Sequence, residues 1–157
     1  MPVGRPDGIA VKPPVFVDTS AWVALVASEN PKGGRIQDWL ASNREPLATT
    51  NLVVVETISR LIKYTRGSLN CAARRELAHR FWTRLLEDGV QVIFIDADVH
   101  AAGWGEVQRC TDKDFDLIDA CSFTFIKRSG IQWVLAVDEH FDQMQLAFGY
   151  SCIMLSG

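Results

Sequence analysis

The stretch Val15-Phe16-Val17-Asp18-Thr19-Ser20 decides how this chain is read. Three β-branched and aromatic residues make a short strand and Asp18 stops it. Thr19 and Ser20 then offer hydroxyls to cap a helix that begins near Ala21. The same sequence of strand, acid and helix recurs near the carboxyl end. There residues 132–137 are a predicted strand, Asp138 ends it, and residues 139–148 return as a helix.

Working outward, the first helix covers residues 21–28, and Asn30 and Pro31 close it. A second helix over 34–42 leads to a strand over 47–50, and Asn51 reads as a second cap. Leu52, Val55, Ile58, Leu61 and Ile62 follow at helical spacing, which puts Glu56 at the edge of a buried face. A helix over 71–87 carries the stripe Ala73, Leu77, Phe81, Leu85 and Leu86 and closes at Gly89. A strand over 90–95, a helix over 100–108, an acidic linker over 111–115 and a helix over 117–127 come next. The chain ends on a strand over 151–155. Strands separated by helices imply an α/β domain over residues 15–157, with a mostly parallel sheet covered on both faces. Residues 1–14, with Gly4, Pro6, Gly8, Pro13 and Pro14, read as a flexible tail.

The composition fits one domain. In 157 residues, 48% hydrophobic and 22% charged with a mean hydropathy of +0.05, there is too much apolar material for a disordered segment and no run long enough to span a membrane. The first residues lack the apolar core of a secretory signal, so the expected location is cytoplasmic. A net charge of -3 argues against gripping nucleic acid by bulk positive charge, and any such contact must be local. Arg60, Lys63, Arg66, Arg74, Arg75, Arg80 and Arg84 form a basic stretch whose ordinary meaning is a solvated helix face. Cys71, Cys110, Cys121 and Cys152 are scattered, without zinc-finger spacing, and read as buried reduced thiols.

Asp18, Glu56, Asp116, Asp119 and Asp138 each stand at the edge of an apolar run. Asp18 and Asp138 lie at strand exits, the edge of an open α/β sheet where ligands bind. Asp116 and Asp119, three apart at a helix start, share one face. Carboxylates gathered there repel one another unless a cation sits among them. An all-oxygen set suits Mg²⁺ or Mn²⁺ and, with the water such ions retain, phosphodiester hydrolysis.

The segments Val15-Phe-Val-Asp-Thr-Ser20, Thr49-Thr-Asn-Leu-Val-Val-Val-Glu-Thr57, Asp112-Lys-Asp-Phe-Asp-Leu-Ile-Asp-Ala120 and Val137-Asp-Glu-His-Phe141 together resemble the ordered motifs of PIN-domain proteins. They are most similar to those of the VapC-type ribonuclease toxins. The resemblance implies a three-layer α/β/α sandwich, a Mg²⁺- or Mn²⁺-dependent endoribonuclease acting on RNA, a homodimer and a small cognate antitoxin. It places Asp18, Glu56, Asp119 and Asp138 on the family's acidic quartet. Asp18 and Asp119 would be the main metal ligands, Glu56 and Asp138 would orient the hydrolytic water, and Thr19 or Ser20 would add a hydroxyl. Asp116 stands where related toxins usually carry serine, which makes it a further candidate ligand, and Ala120 replaces a common cysteine.

Local readings compete with each assignment. Asp112 and Asp114 fit purely local roles at a helix start, and Asp116 fits a cap as well as a ligand. Glu56 can pair with Arg60 one turn on. His140 invites an acid role but reads better as a packing histidine, while His79 and His100 show no partner pattern. Of the five tryptophans, Trp82 and Trp104 are candidates for a dimer contact. Two other functions stay in view: an aspartate-based phosphoryl transferase with Asp18 as acceptor, and a PIN-like module that binds RNA or protein without cutting. Ser20, where the common phosphatase pattern has a second aspartate, weighs against the first, and the intact quartet weighs against the second.

Overall fold

Strand β1 (Val15–Val17) is the middle strand of a parallel sheet. Its Phe16 lies opposite Ala48 of β2 (Leu47–Thr50) on one side and Val134 of β4 (Trp133–Leu135) on the other. Strands β3 (Gln91–Ile93) and β5 (Ser151–Cys152) form the edges, giving the order β3-β2-β1-β4-β5. The computed structural model describes residues 12–27, 30–63 and 69–153. The expected tail therefore falls almost wholly outside the described residues, as do Arg66 and the end of the predicted last strand.

All of β1 is buried, as a strand covered on both faces requires. Helices α1 (Thr19–Val26), α2 (Gly33–Ser42), α3 (Asn51–Lys63) and α4 (Cys71–Glu87) pack together as one layer. Helices α5 (Ala97–Arg109), α6 (Leu117–Ser129), α7 (Glu139–Gln143) and α8 (Gln145–Phe148) make the other. The result is the expected three-layer α/β/α sandwich. Trp22 and Phe81 meet at 5.5 Å in the first layer. Phe123 contacts Phe115, Phe141 and Phe148 in the second, with ring centroids 4.8 to 5.3 Å apart. Helices α5 and α6 approach closely because position 103 is glycine: a Cβ there would lie 2.7 Å from Cys121 Sγ.

Several boundaries differ from the sequence reading for identifiable reasons. Helix α1 starts at Thr19, because the cap is the Asp18 carboxylate rather than the following hydroxyls. Asn51 is not a cap; its Oδ1 accepts from Ile95 N–H at 2.8 Å, while Thr50 Oγ1 accepts from Val53 N–H. Helix α5 begins three residues earlier than expected because Asp96 caps it at Val99 N–H. The predicted helix over 139–148 breaks at Met144, where the Gln145 amide turns back to the backbone and side chain of Asp142. Cys121 and Cys152 are buried and Cys110 half-buried, but Cys71 is exposed. Among the described residues no helix is long and apolar enough to cross a membrane.

Candidate acidic site

Strand exits set the site. Asp18 follows β1 and is 3% exposed, and its Oδ2 accepts from Ser20 N–H at 3.0 Å and from the Ser20 hydroxyl at 2.8 Å. The same hydroxyl oxygen accepts from Val137 N–H at 3.0 Å. Ser20 thus ties the β1 exit to the β4 exit, where Asp138 caps α7 at His140 N–H. From the β2 side, Glu56 reaches α1: its Oε2 accepts from the Thr19 hydroxyl at 2.7 Å and its Oε1 pairs with Arg60 at 2.6 Å. The local pairing expected for Glu56 is present, and so is a partner in another segment.

Asp116 and Asp119 form a capping box at the start of α6. Asp116 Oδ1 accepts from Asp119 N–H at 3.0 Å, and Asp119 Oδ2 accepts from Asp116 N–H at 3.4 Å. The cap reading of Asp116 is therefore realised, and the cap brings its carboxylate next to Asp119. Burial, then the charges of Asp18, Asp116, Asp138 and Glu56, push the Asp119 carboxyl up to about 8. Burial likewise raises Asp18 to about 6, against hydrogen bonds from Ser20 and the Thr19 backbone that hold it down, with Glu56 adding to the rise. The five acids singled out in the sequence thus act on one another.

His140 is not the packing residue expected. Its Nε2 lies 2.7 Å from Asp114 Oδ1, and its Nδ1 lies 3.2 Å from Asp138 Oδ1 and 3.5 Å from Asp119 Oδ2. Nδ1 makes no hydrogen bond, so its contact with the acids is one of charge. Burial lowers the imidazole's proton affinity, but the bond to Asp114 and the charges of Asp138, Asp119 and Asp114 outweigh it and raise the net value. Asp114 is correspondingly more than a local helix-start residue. Neighbouring Asp112 stays local: its hydrogen bond from Lys113 holds it below the ordinary carboxylate range. Thr111, Asp112, Lys113, Asp114 and Gln143 line an open depression of about 590 Å³ beside His140. The link between Asp114 and His140 spans 26 residues, and no local spacing rule announces it.

The donor set suits a hard divalent cation, being carboxylate and hydroxyl oxygen with two carboxyls that burial, and secondarily neighbouring acids, raise above their ordinary range. Among the described residues no three acidic, histidine or cysteine side chains converge tightly enough to enclose an ion by themselves. Mg²⁺ does not need such a cage, since it keeps several waters and is held by one or two carboxylates. Of the basic stretch, Arg80 pairs with Glu76 and Arg84 with Asp88, as a solvated face would. Trp82 and Trp104 are half exposed, whereas Trp22 is fully buried.

The PIN domain family model matches residues 15–146. VapC20 of Mycobacterium tuberculosis, a 23S rRNA-specific endonuclease, is 30% identical over 127 residues, 81% of this chain and 91% of its own, in each of two strains. The crystal structure of that protein, described as a sarcin-ricin loop cleaving toxin, superposes with a TM-score of 0.71 at 27% identity, covering 87% of this chain and 96% of the other. FitAB bound to a DNA fragment has the same fold, with a TM-score of 0.63 at 16% identity over 88% of this chain and 93% of the other. A family model spanning most of the residues, and a relative of this identity and coverage, make the chain a member of the PIN-domain family, of the VapC type.

Proposed function

We propose that this chain is the endoribonuclease toxin of a toxin–antitoxin pair, and that it hydrolyses RNA phosphodiester bonds with Mg²⁺ or Mn²⁺ at Asp18, Glu56, Asp119 and Asp138. The observation that carries this reading is convergence: Ser20 joins Asp18 to the β4 exit beside Asp138, Thr19 joins the same helix start to Glu56, and His140 Nδ1 lies 3.2 Å from Asp138 and 3.5 Å from Asp119. Acids from separate segments that oppose one another's ionisation form a site in want of a cation.

Asp18 and Asp119 are assigned as the residues that hold the ion, directly or through water, with Asp116 contributing a further oxygen from the same helix start. When bound, the ion supplies an activated water and neutralises charge developing on the phosphate. Glu56 and Asp138 accept hydrogen bonds from the attacking water and aim it. The Thr19 hydroxyl fixes the Glu56 carboxylate, and Ser20 holds Asp18 in place. Asp18 as a covalent phosphate acceptor fits less well, because Ser20 stands where the common phosphatase pattern has a second aspartate.

Ribosomal RNA is the first substrate to try, because VapC20 is a 23S rRNA-specific endonuclease. The remaining parts of the reading are a homodimer, a cytoplasmic location, and an antitoxin that lays a helix between the early helices and brings a cation to the acids. The half-exposed Trp82 and Trp104 are available for such contacts. The test is cleavage of a structured RNA mixture by wild type and Asp18→Asn, with Mg²⁺ or Mn²⁺ and with EDTA. Metal-dependent cutting by wild type alone is expected. Equal cutting by Asp18→Asn would overturn the site assignment.

A further inference from the structure

Arg60 stands one helical turn beyond Glu56 on α3, with its Nη2 2.6 Å from Glu56 Oε1. The other oxygen of Glu56 is held by Thr19, so the carboxylate is gripped at both ends, from inside by a hydroxyl and from outside by a guanidinium. The Glu56 side chain is only 11% exposed, whereas that of Arg60 is 44% exposed. Arg60 therefore marks where the acid cluster meets solvent.

Charge makes that place informative. A single divalent ion leaves the four acids of the quartet with surplus negative charge, and the chain as a whole carries -3. A polyanion approaching such a pocket needs a fixed cation beside it, because no bulk positive field draws it in. Arg60 is an arginine in direct contact with one of these acids. A guanidinium carries five donors in a planar fork, so one bond to Glu56 leaves donors for a second oxyanion, in the geometry that suits phosphate. Lys63 is exposed three residues further along the same helix. Arg80 and Arg84, by contrast, are paired with carboxylates outside the acid cluster.

We propose that Arg60 binds a phosphate of the RNA strand next to the bond that is cut, while keeping its contact with Glu56, and that Lys63 continues the same backbone track. This assignment rests on the nuclease reading. The competing account is an ordinary ion pair between residues four apart on a helix, in which Arg60 touches no substrate.

Binding, measured apart from cleavage, separates the two. The full chain carrying Asp18→Asn, to prevent cutting, is titrated with a fluorescent single-stranded RNA of mixed sequence over a range of salt. Adding Arg60→Gln is expected to weaken binding several-fold and to flatten the dependence of log K on log salt by about 0.7, the loss of one phosphate contact to a single strand. Arg60→Lys, which keeps the charge and the helix, is expected to retain the slope. Mn²⁺ affinity of Arg60→Gln on an otherwise wild-type chain, without RNA, is the control. A residue that only orients Glu56 would lower that affinity about tenfold or more and leave the slope alone. An unchanged slope, or no RNA binding at all, overturns the proposal whatever happens to Mn²⁺. RNA that binds through Arg60 but is never cut by the wild type would instead count against the nuclease reading.

Discussion

The Thr19 hydroxyl donates to Glu56 Oε2 at 2.7 Å, joining the first turn of the helix after β1 to the second turn of the helix after β2. Thr19 is buried and Glu56 nearly so, and valine would keep the shape of Thr19 while removing the donor. Thr19→Val is expected to lose about 1.5 to 3 kcal/mol of stability, from one unmade hydrogen bond to a charged group. Cleavage is expected to fall about tenfold, because the carboxylate keeps only its outer hold, from Arg60. Thr19→Ser retains the hydroxyl and most of the activity. Urea denaturation together with single-turnover cleavage tests this, and a valine variant that cuts at the wild-type rate would remove the positioning role.

Asp119 gives a pH dependence of definite sign. Its carboxyl lies at about 8 in the folded protein, above the ordinary carboxylate value that it regains on unfolding. Between those two values the folded chain holds a proton that the unfolded chain has released. Stability in EDTA therefore falls as pH rises through that window and levels off above it. Asp119→Asn removes the term. It is expected to gain about 1 to 3 kcal/mol at pH near 8 and almost nothing at pH near 4, as judged by urea midpoints at the two values. A gain of equal size at both would show that the charge is not the cause.

On the proposed assignment of Asp18 and Asp119 to the ion, cation uptake releases protons. Near neutral pH Asp119 keeps its proton, and Asp18, at about 6, has mostly lost its own. Ligation needs the ionised forms, so binding Mn²⁺ near pH 7 is expected to expel about one proton. Release should fade at higher pH, where Asp119 is already ionised. Calorimetry in two buffers of different ionisation enthalpy measures this directly, and identical heats in both would rule out Asp119 as the group displaced.

Helix α5 supplies an internal contrast. At Gly103 a methyl group would meet Cys121 Sγ at 2.7 Å and its backbone nitrogen at 3.0 Å, whereas at Gly105 nothing lies within 4 Å. Gly103→Ala is expected to lose about 1 to 3 kcal/mol net, overpacking outweighing the better helix propensity of alanine. Gly105→Ala keeps the propensity gain of up to about 1 kcal/mol without a clash. Thermal midpoints of opposite sign are expected. A stable Gly103→Ala would mean that α5 and α6 can separate without penalty.

Much of this was legible in the sequence because the decisive signals are local. The apolar run at Val15 to Val17 with Asp18 at its end marks a buried strand and its exit, whereas the stripe read after Asn51 is turned: the buried face is Val53, Val54, Thr57 and Leu61, and Val55 is exposed. Asp116 and Asp119 lie on one helical turn and are found as a capping box. What spacing does not encode is partnership between distant segments. Ser20 accepting from Val137, Asn51 serving Ile95 instead of its own helix, and His140 reaching Asp114 are all set by how strands are ordered in the sheet. The Met144 break was missed for a different reason, a side-chain bond from Gln145 that competes with helix continuation.

Asp18, Asp116 and Asp138 each serve as the N-cap of a helix. Asparagine caps a helix about as well as aspartate does, whereas alanine does not. On the proposed site assignment, a one-nucleotide change from an aspartate to an asparagine codon is expected to stop cleavage while the helix cap, and with it the scaffold, stays in place. In the laboratory the same equivalence makes asparagine the clean probe at these three positions, because alanine would mix lost chemistry with lost folding.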